Sequence, residues 1–198
     1  KINADAVADG KPDPKYEAYI EEGNDPRGID SGFLVKTTRV KLLESKQLAG
    51  SVELNYPGRS GDKLFDRPPF MVRVQAIDSQ SSDPLTVTAI VNHFKSYGGI
   101  DDVKDGGRVQ AKRAQEADWL AAFVADRSKS NPEERILLCG DFNAFVVNDG
   151  FNDLIGTLIG TPDQNVLVPG KQFATGLIDL AMLKSLSVGE RYSYVFDS

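Results

Sequence analysis

The sequence predicts an α/β fold, a layered sandwich of mixed β-sheets with helices outside. Three observations carry this. Phe70 to Ile77 alternates along its length, and Leu85 to Val91 follows after the turn-forming stretch Gln80 to Pro84, so the two read as an antiparallel hairpin. Arg108 to about Asp126 carries Val109, Arg113, Ala117, Leu120 and Val124 on one stripe, with Ala114 and Ala121 beside it, which is helical spacing. That helix leads into Ile136 to Cys139, a continuous apolar run of the kind found in strands buried on both faces. Strands that come both as hairpins and after helices require a mixed sheet.

The remaining elements follow in order. Lys1 to about Gly10 reads as the end of a helix, with Ile2, Ala6 and Val7 inward, broken by Pro12 and Pro14. Lys1-Ile-Asn-Ala-Asp-Ala does not resemble a signal peptide, and a start in mid-element suggests a mature or trimmed chain. Tyr16 to Ile20 is a short strand, Glu21 to Gly28 a loop, and Ile29 to Lys36 contains another buried strand. Val40 to Leu54 is polar with scattered leucines and reads as strand plus loop. Tyr56 to Asp62 is a second loop, and Pro68-Pro69 suits a strand entrance. Past the Ile136 run, Phe151 to Leu158 reads as a short helix, Thr161 to Lys171 as loop, Gly176 to Leu186 as an amphipathic segment and Tyr192 to Phe196 as a final strand. No repeat, low-complexity tract or linker divides the 198 residues, so they read as one domain.

Composition is that of a globular protein, 40% hydrophobic and 26% charged, with no stretch near the roughly 18 apolar residues of a membrane span. A single cysteine, Cys139, excludes an internal disulfide and a cysteine-rich zinc site, and its place in the apolar run suggests an inert packed thiol. A net charge of −6 argues against non-specific nucleic-acid binding by the whole surface. A nuclease remains open, since it needs only local basic groups near its cleft.

The chemistry gathers around Gly140-Asp-Phe-Asn-Ala144 and Asn92-His-Phe-Lys-Ser96. Each places polar residues at the end of an apolar strand, where open α/β sheets collect their ligands. Gly-Asp-x-Asn also suits a β-turn followed by a helix cap, and a lone histidine near a strand end is more often packed or solvated than catalytic. If the two strands are neighbours, His93, Asp141 and Asn143 converge on one cleft rim. Those residue types suit phosphodiester hydrolysis. An aspartate can orient and deprotonate water, an asparagine can hold that water or a metal's shell, and histidine or lysine can donate to oxygens where charge builds. Lys95 and Ser96 add a cation and a hydroxyl, although Lys95 is as well read as solvated. One histidine is too few for a binuclear metallophosphoesterase. No Gly-x-Ser-x-Gly elbow, dinucleotide-binding glycine pattern or phosphate-binding Gly-x-x-x-x-Gly-Lys loop is present.

Gly140-Asp-Phe-Asn-Ala144, Asn92-His-Phe-Lys-Ser96 and Arg191-Tyr-Ser-Tyr-Val-Phe-Asp197 together resemble the endonuclease/exonuclease/phosphatase superfamily, of deoxyribonuclease I-like fold. Gly23 to Lys36 and Asn148-Asp-Gly150 resemble its bacterial, largely extracytoplasmic nucleases. The resemblance implies an αββα sandwich. It gives His93 the role of contacting phosphate, Asp141 that of orienting the nucleophilic water, and Asn143 that of its partner. Asn92, Lys95 and Ser96 become candidates for binding the substrate phosphate, and Asp141 a weak metal ligand. Asp30 bears on the site or, as the favoured reading, serves a turn; Tyr192 and Tyr194 pack near the cleft. The implied cofactor is Mg²⁺ or Mn²⁺, with Ca²⁺ an option, the partner is DNA or RNA as substrate, and the location is secreted or periplasmic.

The departures are equally specific. The family's metal-binding glutamate and an asparagine would precede Lys1, and its closing Asp-His pair would follow Ser198. The expectation is one partial domain over residues 1–198, incomplete at both ends and inactive alone. It would derive from a metal-dependent phosphodiester hydrolase, foremost a nuclease. The alternatives are a phosphatase acting on phospholipid or inositol phosphate head groups and a catalytically dead binding or adhesion module of the same fold.

Overall fold

The computed structural model describes residues 1–77, 83–145 and 147–180. Its centre is a four-stranded mixed sheet in the order β3 (Val40–Gln47), β4 (Phe70–Ala76), β5 (Thr86–His93), β6 (Ile136–Asp141). The β3–β4 and β4–β5 pairs are antiparallel and β5–β6 is parallel. Two earlier strands, β1 (Tyr16–Ile20) and β2 (Gly32–Lys36), form an antiparallel pair of their own, and β2 touches β4. The helices are α1 (Ile2–Ala8), α2 (Gly106–Ser130) and α3 (Leu154–Leu158). This is the mixed, layered α/β arrangement expected. No described helix is long and apolar enough to cross a membrane.

The parallel pair is made by the β5–α2–β6 crossover, because strands running the same way need a long connection between them. Helix α2 lays Val109, Ala117, Leu120, Ala121 and Val124 on the sheet, all buried. The last four share one core with Met71 of β4, Ile90 of β5, Leu154 and Leu158 of α3, and Leu48, Leu54, Leu64 and Phe65 from the long segment between β3 and β4. Phe94 completes it, in ring contact with Phe65 and with Phe142. The helix runs past the expected Asp126 to Ser130 and ends before Pro132, where Arg127 pairs with Glu134 and Thr88 donates to the same carboxylate.

Four local expectations are corrected. Helix α1 buries no residue, and Ile2 and Val7 are about half exposed. Its anchor is polar instead, since Asn3 donates to the Tyr16 carbonyl and accepts from the Tyr16 amide. Strand β4 does not alternate at its start: Phe70, Met71 and Val72 are all buried, because the strand is central and covered on both faces there. Strand β6 is not buried on both faces. Among the described residues it pairs only with β5, and Leu137 is 42% exposed. Gly176 to Asp179, the start of the expected amphipathic segment, lies outside helix and strand, and residues 181–198, with the expected strand Tyr192 to Phe196, lie outside the described residues. The expected turn from Gln80 lies largely outside them too, but Ala76 donates to the Leu85 carbonyl, so the hairpin closes.

Candidate active site

The parallel register places His93 directly opposite Asp141, the last residues of β5 and β6. Strand sterics then bring the side chains together, with His93 Nε2 3.7 Å from Asp141 Oδ2. The amide of Phe94 donates to the Asp141 carbonyl at 2.9 Å and carries the ladder one step past the strands.

Gly140 makes this close approach possible. Its φ is +115°, and a Cβ there would lie 2.1 Å from the Asn92 carbonyl oxygen. Asp141 then closes a turn, with Oδ1 accepting from the Asn143 amide at 2.9 Å. The turn half of the simple reading of Gly-Asp-x-Asn therefore holds, whereas the cap half does not, since the next helix begins only at Leu154. Asp141 remains 61% exposed, with its other oxygen beside His93. Asn143 has a φ of +46°, and its Nδ2 donates to the Phe94 carbonyl at 2.9 Å, cross-linking the loops after β5 and β6.

Burial pushes the His93 imidazole below its ordinary value, and the nearby Arg67 guanidinium adds to this, while Asp141 and Asp25 act the other way. Arg67 is itself buried, donates to the His93 and Phe94 carbonyls, and stands 3.8 Å from Asp25. The imidazole is thus neutral at pH 7, with one nitrogen donating and the other accepting. His93 is the sole histidine, so its ring gives one resolvable NMR signal. We expect that signal to titrate below 6.5, and Asp141→Asn to lower the pKa further by removing a carboxylate that favours the imidazolium. A rise on that substitution would contradict the pairing.

The other candidates separate. Asn92 is withdrawn from the phosphate-binding set. It is 1% exposed, it alternates to the face opposite His93, and its Nδ2 donates to the Ile90 and Cys139 carbonyls. The cause is strand periodicity, which cannot aim two consecutive side chains at one cleft. Lys95 is half-buried, which lowers its ammonium pKa, and Asp66, Arg108, Lys112 and Arg67 are among its charged neighbours. Its Nζ donates to Ser96 Oγ at 3.2 Å. Asp30 ties together the ends of the loop between β1 and β2, with Oδ1 accepting from the Gly23 amide at 2.7 Å. Tyr192 and Tyr194 lie outside the described residues. Cys139 is half-buried, with Sγ 3.7 Å from the Ile90 carbonyl, and burial raises its thiol pKa, which disfavours the reactive thiolate.

Beneath the site lie groups that motif reading missed. Arg67 has no distinguishing sequence signal. Arg113 had one, a charge in an otherwise apolar helical stripe. Glu116 on the same helix is 1% exposed and accepts from the Lys95 amide at 2.7 Å, and burial pushes its carboxyl up to about 8. A raised folded-state pKa means stability that is complete below about 4.5 and is lost as pH rises to about 8. The stability of the native chain relative to Glu116→Gln should therefore fall across that window and level off above it, by several kcal/mol in all. Urea unfolding at pH 5, 7 and 9 measures this, and a pH-independent difference would show that the carboxyl titrates normally.

No family model matches the sequence, and neither does any curated protein. Solved structures do match. The catalytic domain of human Nocturnin, with a bound sulfate anion, aligns at a TM-score of 0.50 and 13% identity, over 74% of this chain and 48% of that one. ANGEL2, a 2′,3′-cyclic phosphatase in complex with adenosine-2′,3′-vanadate, aligns at 0.43 and 17%, over 79% and 38%. An endonuclease/exonuclease/phosphatase family protein from Bacteroides thetaiotaomicron aligns at 0.42 and 14%, over 74% and 46%. The chain thus spans less than half the length of each of these. Over the part it spans, the chain has the fold of the Nocturnin catalytic domain, the deoxyribonuclease I-like architecture expected from the sequence.

Proposed function

We propose that this chain is part of a phosphodiester hydrolase, foremost a nuclease, acting outside the cytoplasm on DNA or RNA. The observation that carries the reading is the His93–Asp141 pair, set opposite one another at the ends of adjacent parallel strands. Asp141, exposed at the strand end, can take a proton from a water aligned for in-line attack on phosphorus. Neutral His93 can donate an N–H to a non-bridging oxygen as charge builds there.

The implied Mg²⁺ or Mn²⁺ is a separate question. Such ions take several oxygen ligands and give up their water reluctantly. Among the described residues no three acidic, histidine or cysteine side chains cluster to hold one. These residues do not fit a tight metal site by themselves. Calorimetry on the 198-residue chain should give no stoichiometric Mg²⁺ or Mn²⁺ binding in the micromolar range. Tight binding lost in Asp141→Ala would contradict this.

The lack of a three-ligand cluster among the described residues leaves a second reading, a binding module of this fold without activity. The deciding experiment assays the gene product that carries these residues on plasmid DNA, RNA, an inositol phosphate and a phospholipid, with Mg²⁺ or Mn²⁺. Nicking or RNA degradation supports the nuclease, release of a head-group phosphate supports the phosphatase, and inertness on all four supports the module.

A further inference from the structure

Arg113 occupies a position in the α2 stripe whose neighbours on that face, Val109, Ala117 and Leu120, are apolar. Its side chain is fully buried. One terminal nitrogen donates to the Lys95 carbonyl at 2.8 Å and to the Asn143 carbonyl at 2.9 Å. The other donates to Asp149 Oδ2 at 3.1 Å, and the guanidinium lies over the Tyr97 ring, 5.4 Å from its centroid. Its Nε finds no partner among the described residues.

Stability alone does not call for arginine here. Exchanging a buried ion pair for well-packed apolar side chains is often neutral or favourable. What an apolar side chain cannot do is donate to two carbonyls on different loops; the guanidinium does so from one terminal nitrogen while the other holds Asp149. The two carbonyls have matching places: Lys95 lies two residues past His93, and Asn143 two residues past Asp141. Glu116, one turn along the helix, accepts from the amide of Lys95. Residue 95 is therefore gripped at both its N–H and its carbonyl.

We propose that Arg113 is a positioning residue, which sets the spacing of the loops after β5 and β6 so that His93 and Asp141 meet. The proposal rests on reading that pair as the reacting centre, yet it is testable without activity. At pH 8 the imidazole is neutral, and the shift of its NMR signal on Asp141→Asn reports how close the carboxylate stands. We expect a clear shift in the native background. It should fall by half or more in the Arg113→Met, Asp149→Asn double variant, which also removes the charge that would be left unpaired. Arg113→Lys keeps a cation but has a shorter side chain with one nitrogen in place of the two that hold the carbonyls and Asp149, so it should fall between the two. In Arg113→Lys the amides of Phe94 and Lys95 should exchange with solvent about tenfold faster while that of Leu138 stays protected.

In the gene product kcat should drop about tenfold or more in Arg113→Lys with KM little changed, as misplaced reacting groups predict. Folded Arg113 variants that keep the full Asp141-dependent shift would overturn the proposal. A native chain whose His93 signal ignores Asp141→Asn would overturn it too, by removing the pair. A gene product inert on every phosphodiester, with the shift still dependent on Arg113, would instead defeat the hydrolase reading and leave the positioning role standing.

Discussion

Asp141→Ala should abolish phosphodiester cleavage by the gene product that carries this chain, lowering kcat by about 10³- to 10⁴-fold. The estimate is large because the carboxylate is assigned both proton removal and orientation of the attacking water, and groups acting as a unit lose most of their effect together. The fold should survive. Asp141 is 61% exposed, and the truncation removes one turn hydrogen bond, to the Asn143 amide, worth about 1 kcal/mol. Asp141→Asn separates the two contributions, since its amide oxygen can still accept from Asn143 while the charge is gone. The asparagine variant should be as inactive as the alanine one and more stable. His93→Ala should also inactivate without unfolding. Measured by plasmid nicking alongside thermal melting, an active and folded Asp141→Ala protein would remove the proposed mechanism.

Gly140→Ala should be among the most damaging single-methyl changes at the described glycines, costing about 3 kcal/mol or more. Two effects combine. At a φ of +115° an L side chain is strained, and the new Cβ would sit 2.1 Å from the Asn92 carbonyl oxygen, a backbone atom that cannot swing away. The strands would have to separate where His93 meets Asp141. Unfolding should show a loss of that size, and whatever folds should have lost the coupling between the two side chains. Gly150→Ala is the control: its φ is +82°, yet a Cβ there meets nothing within 4 Å, so it should show the strain without the clash. Equal losses at the two positions would show that the contact with Asn92 is unimportant.

The elements were legible where their signal is local. The helical repeat of Val109, Ala117, Leu120 and Val124 marked α2, the turn chemistry between two β-type runs marked the β4–β5 hairpin, and Gly-Asp-x-Asn after an apolar run marked a strand end. Other readings failed because they depended on neighbours that the sequence does not display. Alternation in β4 was overridden by cover on both faces, β6 proved exposed at Leu137, and α1 had apolar residues but no surface to bury them on. Asn92 shows a further difficulty, since membership of a motif says nothing about which face of a strand a residue takes.

By itself, then, the sequence determined the kinds of element, their order and the two polar strand ends, because backbone periodicity and turn preference act over a few residues. Only the tertiary structure decided that β5 and β6 lie side by side, parallel, with His93 opposite Asp141. It also decided that Arg113 and Glu116 turn inward from α2 to hold the loops beyond them. Register is set by hydrogen bonds between residues nearly fifty apart in the chain, and a buried charge is tolerable only where folding supplies its partners.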